Sequence, residues 1–138
     1  MDLKISNLDV INIAVGKRIG KLVPVFKQAV GVEKDRIQSR TQQGIGFDGK
    51  KFSKYSAKWK KARQAAGLQT AYVDLTYTGD MFRAFKLSFL KGEASITGVM
   101  SFGSESYKVE ENEALGRGFF GLTDEQIEII KTKLRQAP

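Results

Sequence analysis

Residues 40–63, RTQQGIGFDGKKFSKYSAKWKKAR, constrain the fold more than any other stretch, because they divide the chain and suit a surface better than a core. From Asp48 to Arg63 stand Lys50, Lys51, Lys54, Lys58, Lys60, Lys61 and Arg63, seven cations against the single anion Asp48. Gly44, Gly46 and Gly49 permit positive φ or close backbone approach, so the first part reads as a turn or ordered loop. Tyr55 to Ala66 contains no Gly or Pro and is rich in Ala, Lys and Arg. With Ser53 or Ser56 as N-cap it reads as a short, basic helix. A glycine-bent loop leading into a cationic helix with Phe52, Tyr55 and Trp59 describes a docking surface rather than a catalytic centre. The match of Gly44-x-Gly46-x-x-Gly49 to a dinucleotide fingerprint is incidental, since a charged helical stretch precedes it where that motif requires a strand.

The chain of 138 residues forms one domain, 1–138, and its 41% apolar content supplies a core. A domain of this size buries roughly two-thirds of the surface its unfolded form exposes. No apolar run approaches the ~20 residues of a membrane-spanning helix, so no membrane partner is expected. The N-terminus carries no secretory signal pattern. Cysteine and histidine are both absent, which removes disulfides, thiolate chemistry, the commonest general base and the commonest metal ligand. The expectation is therefore no enzyme and no cofactor or metal, in a chain made in a cytoplasm. A net charge of +8 points to an anionic partner. The charge is uneven: SESYKVEENEAL holds Glu105, Glu110, Glu111 and Glu113 against Lys108. One positive and one negative face suit a subunit that associates head to tail into a ring, the lysine-rich face meeting Glu110, Glu111 and Glu113 of its neighbour.

Leu8, Ile11, Val15, Ile19, Leu22 and Phe26 step by three or four, which predicts a helix from Leu8 to about Gln42, with Ser6 as N-cap. Pro24 should kink it or split it into two. Tyr72, Val73, Leu75 and Tyr77 favour extended structure before a turn at Gly79. FKLSFL and ASITGVMSF alternate with period two, and the link through Gly92 is short enough for a hairpin. Gly98 within the second strand implies a bulge or a close approach. Ser104 should cap a short helix that Gly116 stops. Thr123 with Gln126 forms a capping box, and Leu122 with Ile127 a hydrophobic staple. The terminal helix places Ile127, Ile130 and Leu134 on one stripe, which should bury against the sheet with Phe119 or Phe120. The fold class is α+β: a kinked helix or helix pair on a small antiparallel sheet, closed by a C-terminal amphipathic helix.

Two other chemistries have sequence features in their favour. The basic segment could contact nucleic-acid phosphates, with Phe52, Tyr55 and Trp59 stacking on bases. The four-residue spacing of Tyr55 and Trp59 instead favours both rings anchoring the helix to its own core. Asp74 and Asp80 could meet in a metal-dependent nuclease, although no motif links them.

Three separated pieces, GFDGKKFSKYSAKWKKA, VDLTYTGDMFRAF and GRGFFGLTDEQI, occur in one order. Together they resemble the small virion morphogenesis proteins of long-tailed bacteriophages, called tail completion, neck or minor tail proteins. The likeness runs from about Ile37 to the C-terminus. It implies a subunit at the head–tail junction or the head-proximal end of the tail, in a homo-oligomeric ring, without catalysis or cofactor. Its implied partners are neighbouring head-connector and tail proteins, with DNA passing through the ring lumen. On matched positions the first motif comprises Asp48, Gly49, Phe52, Tyr55 and Ser56. The second comprises Leu75, Thr78, Gly79 and Met81, and the third Arg117, Phe119, Phe120, Gly121 and Leu122. Gly118 stands where many relatives have Pro. Physically, Asp48-Gly49 makes a turn, Gly79 relieves the entry to the hairpin, and Phe119-Phe120 wedges the last helix in place.

Overall fold

The computed structural model of the chain describes residues 2–5, 8–14, 16–76 and 79–138. Strands β1 (Asp2–Ile5) and β2 (Leu8–Ala14) pair antiparallel, as do β3 (Lys86–Lys91) and β4 (Ser95–Ser101). Because β2 also pairs with β4, the four strands form one antiparallel sheet in the order β1-β2-β4-β3. The helices are α1 (Ile19–Gln42), α2 (Ala57–Ala65), α3 (Asp80–Arg83), α4 (Ser106–Ala114) and α5 (Asp124–Gln136). The α+β architecture read from the sequence is the one adopted: a long helix near the N-terminus, a small antiparallel sheet and a C-terminal helix.

The first element corrects the reading of a helix from Leu8. Residues 8–14 are the strand β2, a 3-10 turn covers Gly16–Arg18, and α1 begins at Ile19. The three-and-four spacing that suggested a helix is overridden by β-branched Val10, Ile11 and Ile13, which favour a strand once β4 offers hydrogen bonds. Asn12 lies opposite Thr97 and its amide donates to the Thr97 hydroxyl at 2.5 Å, fixing the register. Ser6 and Val15 lie outside the described residues. α1 runs through Pro24 as one helix, so the helix-pair alternative does not occur. The proline withholds one N–H from the carbonyl of Gly20, which is exposed to solvent.

The core lies between α1 and the sheet. Leu22, Phe26, Ala29, Val30 and Ile37 of α1 are buried, as are Ile96, Gly98 and Met100 along one face of β4. Gly98 is a close approach rather than a bulge: pairing is unbroken on both sides, and a Cβ there would stand 3.4 Å from the Phe26 ring. Gly79, at φ 84°, leads into the short helix α3 and only then, through Ala84 and Phe85, into the hairpin. At one end of the sheet Phe82, Phe85, Phe102, Phe119 and Phe120 form a buried ring cluster. Phe85 stacks on Phe102 with centroids 4.4 Å apart, and Phe120 meets Phe102 edge-on at 5.0 Å.

α5 begins as read. Thr123 Oγ1 accepts from the Gln126 backbone N–H, and Gln126 Oε1 accepts from the Thr123 N–H, a complete capping box. Leu122, Ile127, Ile130 and Leu134 are all buried. The surface α5 covers is mainly α1 rather than the sheet, so the chain is layered as sheet, α1, α5. Both rings of the Phe119-Phe120 pair are fully buried. α4 starts at Ser106 with Glu105 rather than Ser104 at its N-cap, after a 3-10 turn at Gly103–Glu105, and its last turn closes at Gly116, whose N–H donates to Glu113.

Candidate interaction surface

The basic surface is built outward from the end of α1. Gly44, at φ 86°, is the residue after the C-cap; its N–H donates to Thr41 and that of Ile45 to Arg40, the Schellman pattern that satisfies the last carbonyls. The chain then folds back on itself. Ile45 bridges Lys51, Gly46 N–H donates to Lys50, and Phe52 N–H donates to Gly44. At the tip, Asp48 Oδ1 accepts from the Lys50 N–H at 2.9 Å, the turn expected of Asp48-Gly49. Phe47 N–H donates to the Gly118 carbonyl at 2.9 Å, tying this small hairpin to the chain before Phe119. Gly46 has no alternative residue here, since a Cβ would stand 2.9 Å from the Gly118 oxygen.

Arg40 locks the same junction from beneath. Its guanidinium donates to the carbonyls of Phe119 (2.8 Å) and Gly121 (3.2 Å) and to Gln126 Oε1 (3.0 Å). All three acceptors are neutral, and burial lowers the Arg40 pKa from its ordinary value. One arginine thereby joins the end of α1, the Phe119-Phe120 wedge and the capping box of α5.

α2 carries the lysines, with Ser56 as its N-cap, the Oγ accepting from Trp59 N–H at 3.2 Å. It has no apolar stripe of its own; Arg63 holds it. Although the sequence groups Arg63 with the interacting cations, the side chain is 2% exposed and inaccessible to a partner. Its Nε donates to the Gln69 carbonyl (3.1 Å), Nη1 to the Thr76 carbonyl (2.7 Å) and Nη2 to Asp74 Oδ1 (3.2 Å). Asp74 Oδ1 also accepts from Thr76 N–H and the Tyr55 hydroxyl, while Oδ2 accepts from Gln69 Nε2. Asp74 therefore commits both oxygens to protein donors, and Asp80 pairs with Arg83. Burial raises the Tyr55 pKa, with the Asp74 carboxylate among the further causes. The guanidiniums of Arg63 and Arg117 lie 4.7 and 5.7 Å from the Tyr55 ring centre.

This network explains why Tyr72 to Thr76 is not extended strand. Leu75 sits at φ 55°, rare for a branched residue, and the polar groups around it are taken by Asp74, Arg63 and Gln69 instead of a neighbouring strand. Tyr77 and Thr78 lie outside the described residues.

With Arg63 inward, Lys58 and Lys61 stand on the opposite ridge of α2. Lys50, Lys51, Lys54, Lys58, Lys60 and Lys61 are all exposed, and among the described residues none joins an ion pair. The expected anchoring of both rings to the core does not occur: Tyr55 precedes the N-cap Ser56, outside α2, and is held by its hydroxyl to Asp74, while Trp59 is 41% exposed. The acidic segment does not occupy a separate face. A cleft of about 410 Å³ has Trp59 on one wall and Tyr107, Glu111 and Asn112 of α4 on the other. Glu110 is exposed and Glu113 half-buried. Sequence reading missed Arg40, Gln69 and Asp74 as organisers of this region; the Asp74-x-Thr76 pattern, typical of an Asx turn, was the available signal. Comparison with protein-family models, with curated proteins and with solved structures finds no match to this chain.

Proposed function

We propose that this chain is a structural assembly protein of a long-tailed bacteriophage particle, acting at the head–tail junction or the head-proximal end of the tail by self-association into a ring. The supporting observation is that the three sequence pieces carrying the family likeness converge in space. The Asp48-Gly49 hairpin bonds to Gly118, Tyr55 bonds to Asp74 and lies beside Arg117, and Phe82, just past Met81, meets Phe119 edge-on at 6.1 Å. Motif residues far apart in sequence thus form one structural unit, as a shared fold would require. Most of them do structural work, which leaves function to the exposed charged surfaces: the lysine face, and α4 with Glu110, Glu111 and Glu113. In such a particle the partners are sister subunits and the adjoining connector and tail proteins, and the chemistry is docking without turnover.

Disrupting the gene in its phage or prophage tests this reading. The expected outcome is loss of complete particles, with separate heads and tails seen by electron microscopy, and restoration by the parent chain in trans. Labelled protein should then localise to the junction. Normal yields of complete, infectious particles without the protein would overturn the proposal.

A further inference from the structure

We infer that the lysine face formed by the 45–52 hairpin and α2 is a sequence-independent binding surface for the phosphate backbone of duplex DNA. The first support is the placement of charge. Residues 50–61 contain six lysines and no carboxylate, so they hold most of the +8 excess, and the rest of the chain is nearly neutral. None of the six joins an ion pair among the described residues; unpaired lysines elsewhere, such as Lys17, Lys27 and Lys34, are scattered along the chain rather than gathered in a run without carboxylates. The hairpin bonds and the Arg63 anchor hold the backbone on either side of Lys54 in place, so six exposed lysines stay close together along the chain despite their repulsion.

The second support is the kind of cation. Lysine presents a point charge on a flexible stem, whereas reading a base edge calls for a planar fork. The one arginine of the segment, Arg63, is turned inward. Such a face neutralises phosphates without distinguishing sequence. A sister subunit's acidic segment is a poorer match. It offers Glu110, Glu111 and Glu113, of which Glu111 already lines the cleft beside α2 and Glu113 is half-buried. Duplex DNA presents a charge every ~1.7 Å and can engage all six lysines. Apart from Trp59 the face offers little exposed apolar surface, which a stable protein contact would need at its centre.

Trp59, the single tryptophan of the chain, lies among these lysines and reports occupancy directly. Titrating the purified chain with random-sequence duplex DNA should change its fluorescence, with log K falling against log salt at a slope of about −5. Lys58→Glu with Lys61→Glu should weaken binding at least about tenfold near 0.1 M salt and make the slope shallower by about 2. Lys17→Glu with Lys21→Glu, at the opposite end of α1 from the hairpin, a helix about 36 Å long, makes the same change in net charge and should weaken binding less than about threefold. Circular dichroism confirms that both variants fold. Absence of binding at low salt, equal losses in the two variants, tighter binding to phosphatidylserine vesicles, or salt-sensitive dimers in place of DNA binding would each overturn the assignment.

Discussion

At the scale of single residues, the chain spends its most informative side chains on holding itself together. Phe120 is fully buried against Phe85 and Phe102, so Phe120→Ala should cost ~3–5 kcal/mol, read as a fall in the chemical-denaturation midpoint. An unchanged midpoint would mean that the ring is not packed. Tyr55 adds a pH dependence. Its folded pKa is raised, so the folded state holds the phenolic proton more tightly than the unfolded chain does. That contribution is fully present below the unfolded value near ~10 and is lost as pH rises through the folded pKa. Tyr55→Phe should cost ~0.5–1.5 kcal/mol at pH 8 through its lost hydrogen bonds, and the gap from the parent should narrow towards pH 11. A constant gap in thermal midpoint across that range would refute the coupling. Sequence showed the Phe119-Phe120 wedge because two adjacent aromatics before a capped helix have few uses. It hid the role of Arg63, because seven cations in one run look alike until burial separates one from six. Glu33 was hidden for the same reason: it lies in a charged helical stretch yet is fully buried, with Arg36 Nη1 3.6 Å from its carboxylate.

At the scale of elements, legibility followed how local the determining physics is. α5 was readable because a capping box and an apolar stripe act within one turn or two. The β3–β4 hairpin was readable because alternation and a short glycine link are local as well. Residues 8–14 were not, since whether they become helix or strand depends on β4, and no local pattern announces that partner. α2 combines both cases: its cap and composition are local, but its attachment is a polar network made with residues 69–76. This attachment carries a prediction. Arg63→Ala removes donors to Gln69, Thr76 and Asp74 while leaving the ring cluster and α5 untouched. Amide exchange in α2 should accelerate by at least about tenfold while protection in α5 changes little, since local opening differs from global unfolding. Equal acceleration in both helices would show that α2 and the core open as one unit.

At the scale of the whole molecule, the α+β class was legible because apolar patterning allots the core between one long helix and a hairpin. The addition of β1 and β2 to that sheet was not legible. The arrangement has layers of unequal character: α5 on α1, α1 on the sheet, and a charged cap of hairpin, α2 and α4 gathered near the Phe119-Phe120 junction. The strand order also sets a timetable. β2 sits between β1 and β4, yet 85 residues separate Asn12 from its cross-strand partner Thr97. A ribosome adding ~5–20 residues per second takes roughly 4 to 17 s to cover that distance. During that interval β2 can pair only with β1, and its other edge waits, rich in β-branched residues, for a strand not yet made. The sheet is thus completed only once β4 has been made, and β2, among the earlier of its strands, is one of the last to gain its final neighbours.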